Sequence, residues 1–305
     1  MRILFAGTPE FAVPSLRALA AAGHDIVGVV TREDAPLGRK RVLTPSPVAV
    51  AAEELGLEVL RANRLGEAAT EWAASRGAEL GVIVAYGGLV REPLLSLPSQ
   101  GWINLHFSEL PRWRGAAPVQ RALMAGEQEL GVTVFRLVPE LDAGDVLTRG
   151  SREFPPGTSA GEALKALAEF GTSPLLDAVE MLADEPGAGE PQVGDASYAH
   201  KLSREDGRIV FERADEALAR WAGVTPEPGA YAMLGHQPLK LLELRPLPGA
   251  TPVPLAPGEA RLDEQRVLLG FADGALELAR VQPAGKPAMD AAAWLRGRAG
   301  QAELS

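Results

Sequence analysis

The sequence contains no cysteine and has only four histidines among its 305 residues. Without cysteine the chain can form no disulfide, no thiolate metal site and no thiol nucleophile. The histidines are far apart in the sequence, at His24, His106, His200 and His236. A histidine-based metal site is therefore not expected.

Long apolar runs and a secretion signal are also missing. No apolar stretch approaches the roughly 20 residues that a membrane span needs. The first residues, Met1 to Gly7, are typical of a strand entering a turn and not of a signal peptide. We therefore expect a soluble, cytoplasmic protein without a membrane partner.

Lysine is scarce, and the formal net charge is −10. Over the whole chain, this charge argues against bulk binding of nucleic acid. Basic residues nevertheless cluster at two places, Arg39, Lys40 and Arg41 and then Arg112, Arg114 and Arg121. The first cluster lies in a long predicted loop, Thr31 to Pro47, which is either a functional segment or a solvated charged face.

The pattern along the chain predicts two domains, as its length suggests. In the first part, buried apolar runs such as Ile26 to Val30 alternate with helical stretches such as Ser46 to Leu55. This alternation is typical of an α/β fold with a parallel sheet covered by helices. Residues 184–191 are rich in proline, glycine and acid and predict a linker. Beyond Ser203, short runs separated by turn signals predict a small antiparallel barrel.

The stretch that begins at Asn104 carries the strongest chemical signal. Asn104 and His106 are two residues apart on a predicted strand, so their side chains point to the same side of the sheet. Such an amide can hold a developing oxyanion, and such an imidazole can move or stabilise a proton, as acyl-group transfer requires. The alternative is an ordinary hydrogen-bonded histidine at a strand end, with Asn104 as an edge or turn residue.

Two turns after predicted strands bear on this interpretation. Asp142 follows a buried strand in a turn that contains Gly144, where it either lies beside His106 and sets its charge or forms an ordinary Asx-turn. The turn at Gly7 and Thr8 lacks the G-x-G-x-x-G pattern, so a nicotinamide cofactor is not supported. That turn can still bind an anion at a helix start.

Together these stretches resemble the methionyl-tRNA formyltransferase family of the folate-dependent formyltransferases. The resemblance covers nearly the whole chain and rests on residues 5–12, 45–48, 84–87, 104–118, 120–121, 131–133, 141–145, 198–202 and 282–286. It implies an N-terminal Rossmann-like catalytic domain at 1–184, a linker at 185–203 and a C-terminal OB-like β-barrel at 204–305 that binds tRNA.

The resemblance also implies a reaction. The formyl group of the co-substrate 10-formyltetrahydrofolate is transferred to the α-amino group of methionyl initiator tRNA for translation initiation, without a metal or a covalent enzyme intermediate. Asn104, His106 and Asp142 are then catalytic. Asn104 donates to the oxyanion, and His106 assists there or in proton transfer. Asp142 orients His106 and, through water, takes the amine proton.

The resemblance implies binding residues as well, in a chain that acts as a monomer. Those for the folate are Ser108, Glu109, Leu110 and Pro111, with Tyr86, Gly87, Gly88, Leu89, Pro139, Glu140 and Leu141 walling the pterin. Those for the tRNA are Arg39, Lys40, Arg41, Arg112 and Arg114. Glu109 stands where a leucine is usual, so we expect its side chain to point away from the folate. Gly88 also departs from the family pattern, and residues 221–231 lack a family turn.

Three other functions stay open. The first is formyl transfer to a small amine, such as an amino-sugar nucleotide or glycinamide ribonucleotide, but a small substrate needs neither the basic loop nor a second domain. The second is a non-catalytic RNA-binding module, which the set Asn104, His106 and Asp142 disfavours. The third is a dinucleotide-dependent dehydrogenase, which the missing glycine pattern disfavours.

Overall fold

The computed structural model describes residues 1–38, 40–247 and 255–305. The strands in these residues are β1 (Arg2–Gly7), β2 (Asp25–Thr31), β3 (Ala35–Leu37), β4 (Val42–Thr44), β5 (Val59–Arg61), β6 (Leu80–Val84), β7 (Trp102–His106), β8 (Arg114–Gly115), β9 (Glu129–Arg136), β10 (Val146–Glu153), β11 (Tyr198–Ala199), β12 (Tyr231–Leu234), β13 (Gln237–Pro246), β14 (Glu259–Asp263), β15 (Arg266–Phe271), β16 (Gly274–Pro283), β17 (Met289–Asp290) and β18 (Gln301–Glu303). The helices are α1 (Val13–Ala21), α2 (Pro47–Glu54), α3 (Glu67–Ala74), α4 (Pro118–Met124), α5 (Ala160–Phe170), α6 (Thr172–Asp184), α7 (Ala214–Val224) and α8 (Ala291–Arg296).

The chain forms two compact units. The first consists of residues 1–116, 131–152 and 164–198, and the second of residues 117–130, 153–163 and 199–305. The second unit therefore includes two segments, 117–130 and 153–163, that fall within the range predicted for the N-terminal domain.

A seven-stranded sheet forms the centre of the first unit, in the order β10-β9-β7-β6-β1-β2-β5. The pairs β6–β7, β1–β6, β1–β2 and β2–β5 are parallel, which confirms the predicted parallel sheet. Strand β6 is buried along its whole length, as expected for a strand covered on both faces. Strand β9 runs antiparallel to β7 and brings Thr133 opposite His106.

Strand β10 was not predicted from the sequence. It lies at the edge of the sheet, and several of its residues are polar and exposed. An edge strand is paired on one side only and needs no continuous apolar run, so its sequence carries little strand signal.

Local sequence signals explain the helix boundaries. Ser46 caps α2 by accepting a hydrogen bond from the Ala49 N–H at 3.0 Å, and Pro47 takes the first helical position. Both features follow the sequence expectation. The predicted helical stretch from 160 to 182 is divided at Gly171, where α5 ends and α6 begins.

The predicted loop from Thr31 to Pro47 contains a short antiparallel hairpin, β3–β4. Its turn carries Lys40 and Arg41, both of which are exposed, whereas Arg39 lies outside the described residues. Three large apolar side chains of the hairpin are also exposed, namely Leu37, Val42 and Leu43.

An antiparallel sheet in the order β12-β13-β16-β15-β14-β18 forms the second unit and confirms the predicted barrel. Main-chain hydrogen bonds between Met233 of β12 and Ser305, of 2.7 and 2.9 Å, connect the two ends of this sheet. Apolar side chains fill its interior, and the buried Trp221 of α7 donates its indole N–H to the Leu241 carbonyl at 3.0 Å.

Candidate active site

Asn104 and His106 lie on β7, near its carboxyl end, and face the same side of the sheet. In the register of β7 and β9, Asn104 is opposite Phe135 and His106 is opposite Thr133. The His106 ring packs edge-on against Phe135 with 6.3 Å between ring centroids, and His106 is only 7% exposed. Among the described residues no protein group forms a hydrogen bond with the Asn104 amide, so that amide is available to a substrate.

A backbone carbonyl fixes the orientation and tautomer of His106. The Nε2 atom lies 3.0 Å from the carbonyl oxygen of Trp113. Because a carbonyl can only accept, Nε2 carries the hydrogen, and Nδ1 is the nitrogen left for chemistry. Trp113 has a φ of +60°, in the left-handed region that L-residues rarely adopt. The chain thus holds a strained residue at the position that orients the imidazole.

Asp142 faces the other nitrogen of the ring. Its Oδ2 atom lies 3.9 Å from His106 Nδ1, and its side chain is 11% exposed. The distance exceeds a hydrogen bond, so in this geometry the carboxylate acts on the imidazole through its charge. The same oxygen accepts a hydrogen bond from the Gly115 N–H at 2.7 Å. Asp142 also has a positive φ, of +47°.

The segment Ser108 to Pro111, predicted to contact folate, folds back onto β9. The hydroxyl of Thr133 donates to the Ser108 carbonyl at 2.7 Å and accepts from the Leu110 N–H at 3.1 Å. The Ser108 hydroxyl donates to the Arg112 carbonyl at 2.7 Å, and Leu110 is buried. Two side chains of this segment are thus used inside the protein.

Glu109 in the same segment is half-buried. Its side chain covers Gly131 of β9, where any Cβ atom would overlap it. In the strand order, β9 lies on the opposite side of β7 from β6, which leads into residues 86–89. This arrangement supports the expectation that the carboxylate points away from a pterin near those residues, which stays a prediction.

The segment Tyr86 to Leu89 presents mainly its backbone. Tyr86 is 1% exposed, and its hydroxyl donates to the Ala62 carbonyl at 2.6 Å. Burial raises the pKa of the Tyr86 hydroxyl above its ordinary value, so the group stays a donor. Leu89, by contrast, is 65% exposed. A Cβ atom at Gly88 would lie 2.5 Å from the Tyr86 ring. Glycine at position 88, which departs from the family pattern, therefore leaves room for the Tyr86 ring to pack against the backbone.

The remaining predicted residues divide into exposed and bonded groups. Pro139, Glu140 and Leu141 form an exposed turn before Asp142. Arg112 is exposed. Arg114 is half-buried, and its Nε and Nη2 atoms donate to the Gln192 Oε1 atom at 3.2 and 2.6 Å.

Four groups near the site were not found from the sequence, namely the Thr133 hydroxyl, the Trp113 carbonyl, Gln192 and Ser197. Gln192 and Ser197 belong to the stretch predicted to be a linker. A polar side chain that binds backbone groups distant in sequence leaves no periodic signal, and a backbone carbonyl leaves none at all.

Neither a metal centre nor a membrane span is found in residues 1–38, 40–247 and 255–305. In these ranges no three histidine, aspartate or glutamate side chains are grouped closely enough to hold a metal ion. None of the helices there combines the length and apolarity that crossing a bilayer requires.

Comparison with known proteins gives a consistent result. Residues 1–179 match the family model described as formyl transferase, and residues 201–299 match that of the formyl transferase C-terminal domain. A methionyl-tRNA formyltransferase of Leifsonia xyli subsp. xyli is 56% identical over 306 residues, covering 100% of both chains.

Two solved structures share the fold at low sequence identity. A methionyl-tRNA formyltransferase from Clostridium thermocellum is 12% identical with a TM-score of 0.58, covering 93% of this chain and 98% of its own. An N-formyltransferase from Helicobacter canadensis, crystallised with folinic acid and dTDP-3-aminofucose, is 14% identical with a TM-score of 0.68, covering 92% and 100%.

Proposed function

This chain belongs to the methionyl-tRNA formyltransferase family, and we propose that it transfers the formyl group of 10-formyltetrahydrofolate to the α-amino group of methionyl initiator tRNA. The observation that carries the site assignment is the arrangement of Asn104, His106 and Asp142. An unbonded amide, an imidazole of fixed tautomer and a carboxylate 3.9 Å from its Nδ1 meet at the end of β7. This combination serves acyl transfer to an amine.

Each of the three side chains has a defined task. The methionine amine forms a C–N bond to the formyl carbon, and the bond from that carbon to the folate nitrogen then breaks. Asn104 donates to the oxyanion of the tetrahedral intermediate, an interaction whose loss typically costs about 10²–10³ in kcat. Because His106 Nε2 is bonded to Trp113, His106 assists through Nδ1. Asp142 takes the proton that the amine loses, and the departing folate nitrogen takes up a proton.

We assign the folate to the segments Ser108 to Pro111, Tyr86 to Leu89 and Pro139 to Leu141. The first two follow β7 and β6, and ligands of parallel sheets bind beyond the carboxyl ends of the strands. We assign tRNA contacts to Arg39, Lys40, Arg41, Arg112 and Arg114 and to the C-terminal barrel. We further propose a catalytic domain at 1–184, a linker at 185–203 and a tRNA-binding barrel at 204–305, in a monomeric, cytoplasmic enzyme.

Substitution of the three side chains tests the reaction. Asn104→Ala, His106→Ala and Asp142→Asn should each lower kcat for formyl transfer to initiator Met-tRNA by at least about 10²-fold. His236→Ala, which changes an exposed histidine of the second unit, is the control and should match the wild type. Near-normal turnover in the first two variants would refute the catalytic assignment.

The acceptor is tested separately. Initiator Met-tRNA, elongator Met-tRNA and an amino-sugar nucleotide are compared under the same conditions, and we expect initiator Met-tRNA to be preferred. Transfer to the sugar with none to Met-tRNA would overturn the assignment. Lys40→Ala should raise KM for tRNA and reduce its salt dependence, whereas the exposed Lys165→Ala should change neither.

A further inference from the structure

The segment between residues 189 and 197 is bonded to the turn that carries Asp142. The Gln192 Nε2 atom donates to the carbonyls of Asp142 and Gly144, each at 2.9 Å. Its Oε1 atom accepts from Arg114. A guanidinium only donates and a carbonyl only accepts, so these partners allow one orientation of the amide. Gln192 therefore connects Arg114 with the backbone of the proposed proton acceptor.

The same segment is bonded to the residue that orients His106. The Ser197 hydroxyl accepts from the Trp113 N–H at 2.9 Å, and the Ser197 carbonyl accepts from the Arg114 N–H at 2.8 Å. Trp113 in turn accepts from His106 Nε2. Ser197 thus contacts the imidazole side of the site, as Gln192 contacts the carboxylate side.

Two main-chain hydrogen bonds between Val146 and Glu190, of 2.8 and 2.9 Å, hold the start of this segment against the sheet. The Gln192 contacts are therefore made from a fixed backbone. Asp142 needs such support because its positive φ costs roughly 1–3 kcal/mol and persists only where surrounding contacts impose it.

We infer that Gln192 is a positioning residue for the reaction: its amide holds the backbone of Asp142 so that the carboxylate faces His106 Nδ1. This inference rests on the proposed function. This positioning requires the two N–H donors of the Gln192 amide. The volume of the side chain and its contact with Arg114 are not sufficient. A carboxylate of the same shape would keep the Arg114 contact and turn an acceptor toward two carbonyls.

Gln192→Glu is therefore the informative variant. We expect kcat to fall about 10²-fold, since a displacement of about 1 Å in a reacting group has that effect, while KM for both substrates stays within about twofold. The melting temperature should fall somewhat, because two carbonyls lose their donor and the new ion pair with Arg114 offsets only part of that loss. The kinetics are therefore measured at a temperature where the variant is fully folded. If Gln192 had only a structural role, kcat would fall only to the extent that the variant unfolds. Gln301→Glu, an exposed residue of β18, is the matched control.

A second variant covers the case in which Gln192→Glu does not fold. Arg114→Met removes the group that holds the Gln192 amide. It should lower kcat in addition to any rise in KM for tRNA that follows from losing a proposed tRNA contact. A change in KM for tRNA and in its salt dependence with kcat unchanged would show that Arg114 acts on tRNA alone and would overturn the positioning role.

The outcomes separate the inference from the function on which it rests. If the wild type formylates Met-tRNA and Gln192→Glu retains full or nearly full kcat, the positioning role is overturned and the proposed function stands. A wild type that does not formylate Met-tRNA would overturn both. Loss of kcat in Gln192→Glu at a temperature where the variant is fully folded would support the role.

Discussion

Thr133→Val tests how the predicted folate segment is held against the sheet. Valine has the shape of threonine without the hydroxyl, so the substitution removes the bonds to the Ser108 carbonyl and the Leu110 N–H. Ser108, Leu110 and Thr133 are all buried, so the two backbone groups lose their partner away from water.

The magnitude follows from these contacts. Each buried polar group left unpaired costs roughly 1–3 kcal/mol, and the added methyl group returns about 0.8 kcal/mol. We expect a loss of about 3 kcal/mol in the free energy of unfolding. For a domain of about 150–250 residues, this lowers the melting temperature by about 6–12 °C. Because the loosened segment is the proposed folate contact, KM for 10-formyltetrahydrofolate should rise about tenfold.

Thermal unfolding and steady-state kinetics measure the two effects. Thr133→Ser retains the hydroxyl and should keep most of both properties. Thr148→Val removes a single hydrogen bond, to the Pro174 carbonyl, and should lower stability without changing KM for the folate. If Thr133→Val melts within about 1 °C of the wild type, the Ser108 carbonyl and the Leu110 N–H are not left unpaired by the substitution, and this reasoning is wrong. If it is destabilised but binds folate normally, the segment does not contact the folate.

Three further predictions concern stability, each measured by thermal or urea unfolding. Gly81→Ala should destabilise the first unit by about 1–3 kcal/mol, because any Cβ atom at Gly81 would overlap the buried Trp102 indole; an unchanged melting temperature would contradict this packing. Ser46→Ala should cost about 2 kcal/mol, because it removes both the α2 cap and the hydrogen bond with the buried Thr31 hydroxyl, and Ser99→Ala, at an exposed serine, should cost almost nothing. The hydrogen bond from the Ser203 N–H, followed by that from Arg121, lowers the pKa of Asp206 from 3.8 to about 2. The stability that this carboxylate gives the second unit is therefore present above about pH 4 and lost as the pH falls toward 2. Asp206→Asn should cost about 1 kcal/mol at pH 7, allowing for solvent screening, and should make unfolding less sensitive to pH between about 4 and 2.

The layers of the fold could be predicted because strands and helices leave a regular spacing of apolar residues along the sequence. The buried run of β6 and the cap at Ser46 are local signals, and the structure agrees with both. Strand β10 was missed because an exposed edge needs no apolar pattern, and the hairpin β3–β4 was missed because its polar turn resembles a loop. Closure of the barrel through Met233 and Ser305 depends on backbone groups, whose pairing no side-chain pattern records.

The sequence predicts candidate reacting groups, whose catalytic role stays a prediction, but it does not predict the contacts that hold them. Asn104, His106 and Asp142 are recognisable from residue type, spacing and resemblance. The sequence could not show that Tyr86 is a core residue, because both a binding loop and a buried turn tolerate tyrosine. It also could not assign Arg114 to Gln192, since a cluster of arginines suggests an exposed charged surface. Such contacts depend on where distant segments meet in space.

The left-handed backbone of Asp142 has a consequence for protein engineering. Glycine adopts this conformation without the penalty that aspartate carries, so the backbone alone favours the substitution Asp142→Gly. The side chain opposes this substitution, because without the carboxylate the Gly115 N–H loses the acceptor that lies 2.7 Å away. Position 142 should therefore be held constant in any library built to stabilise this chain, because its backbone conformation alone would favour removing a carboxylate that binds Gly115 and for which we propose a role in turnover.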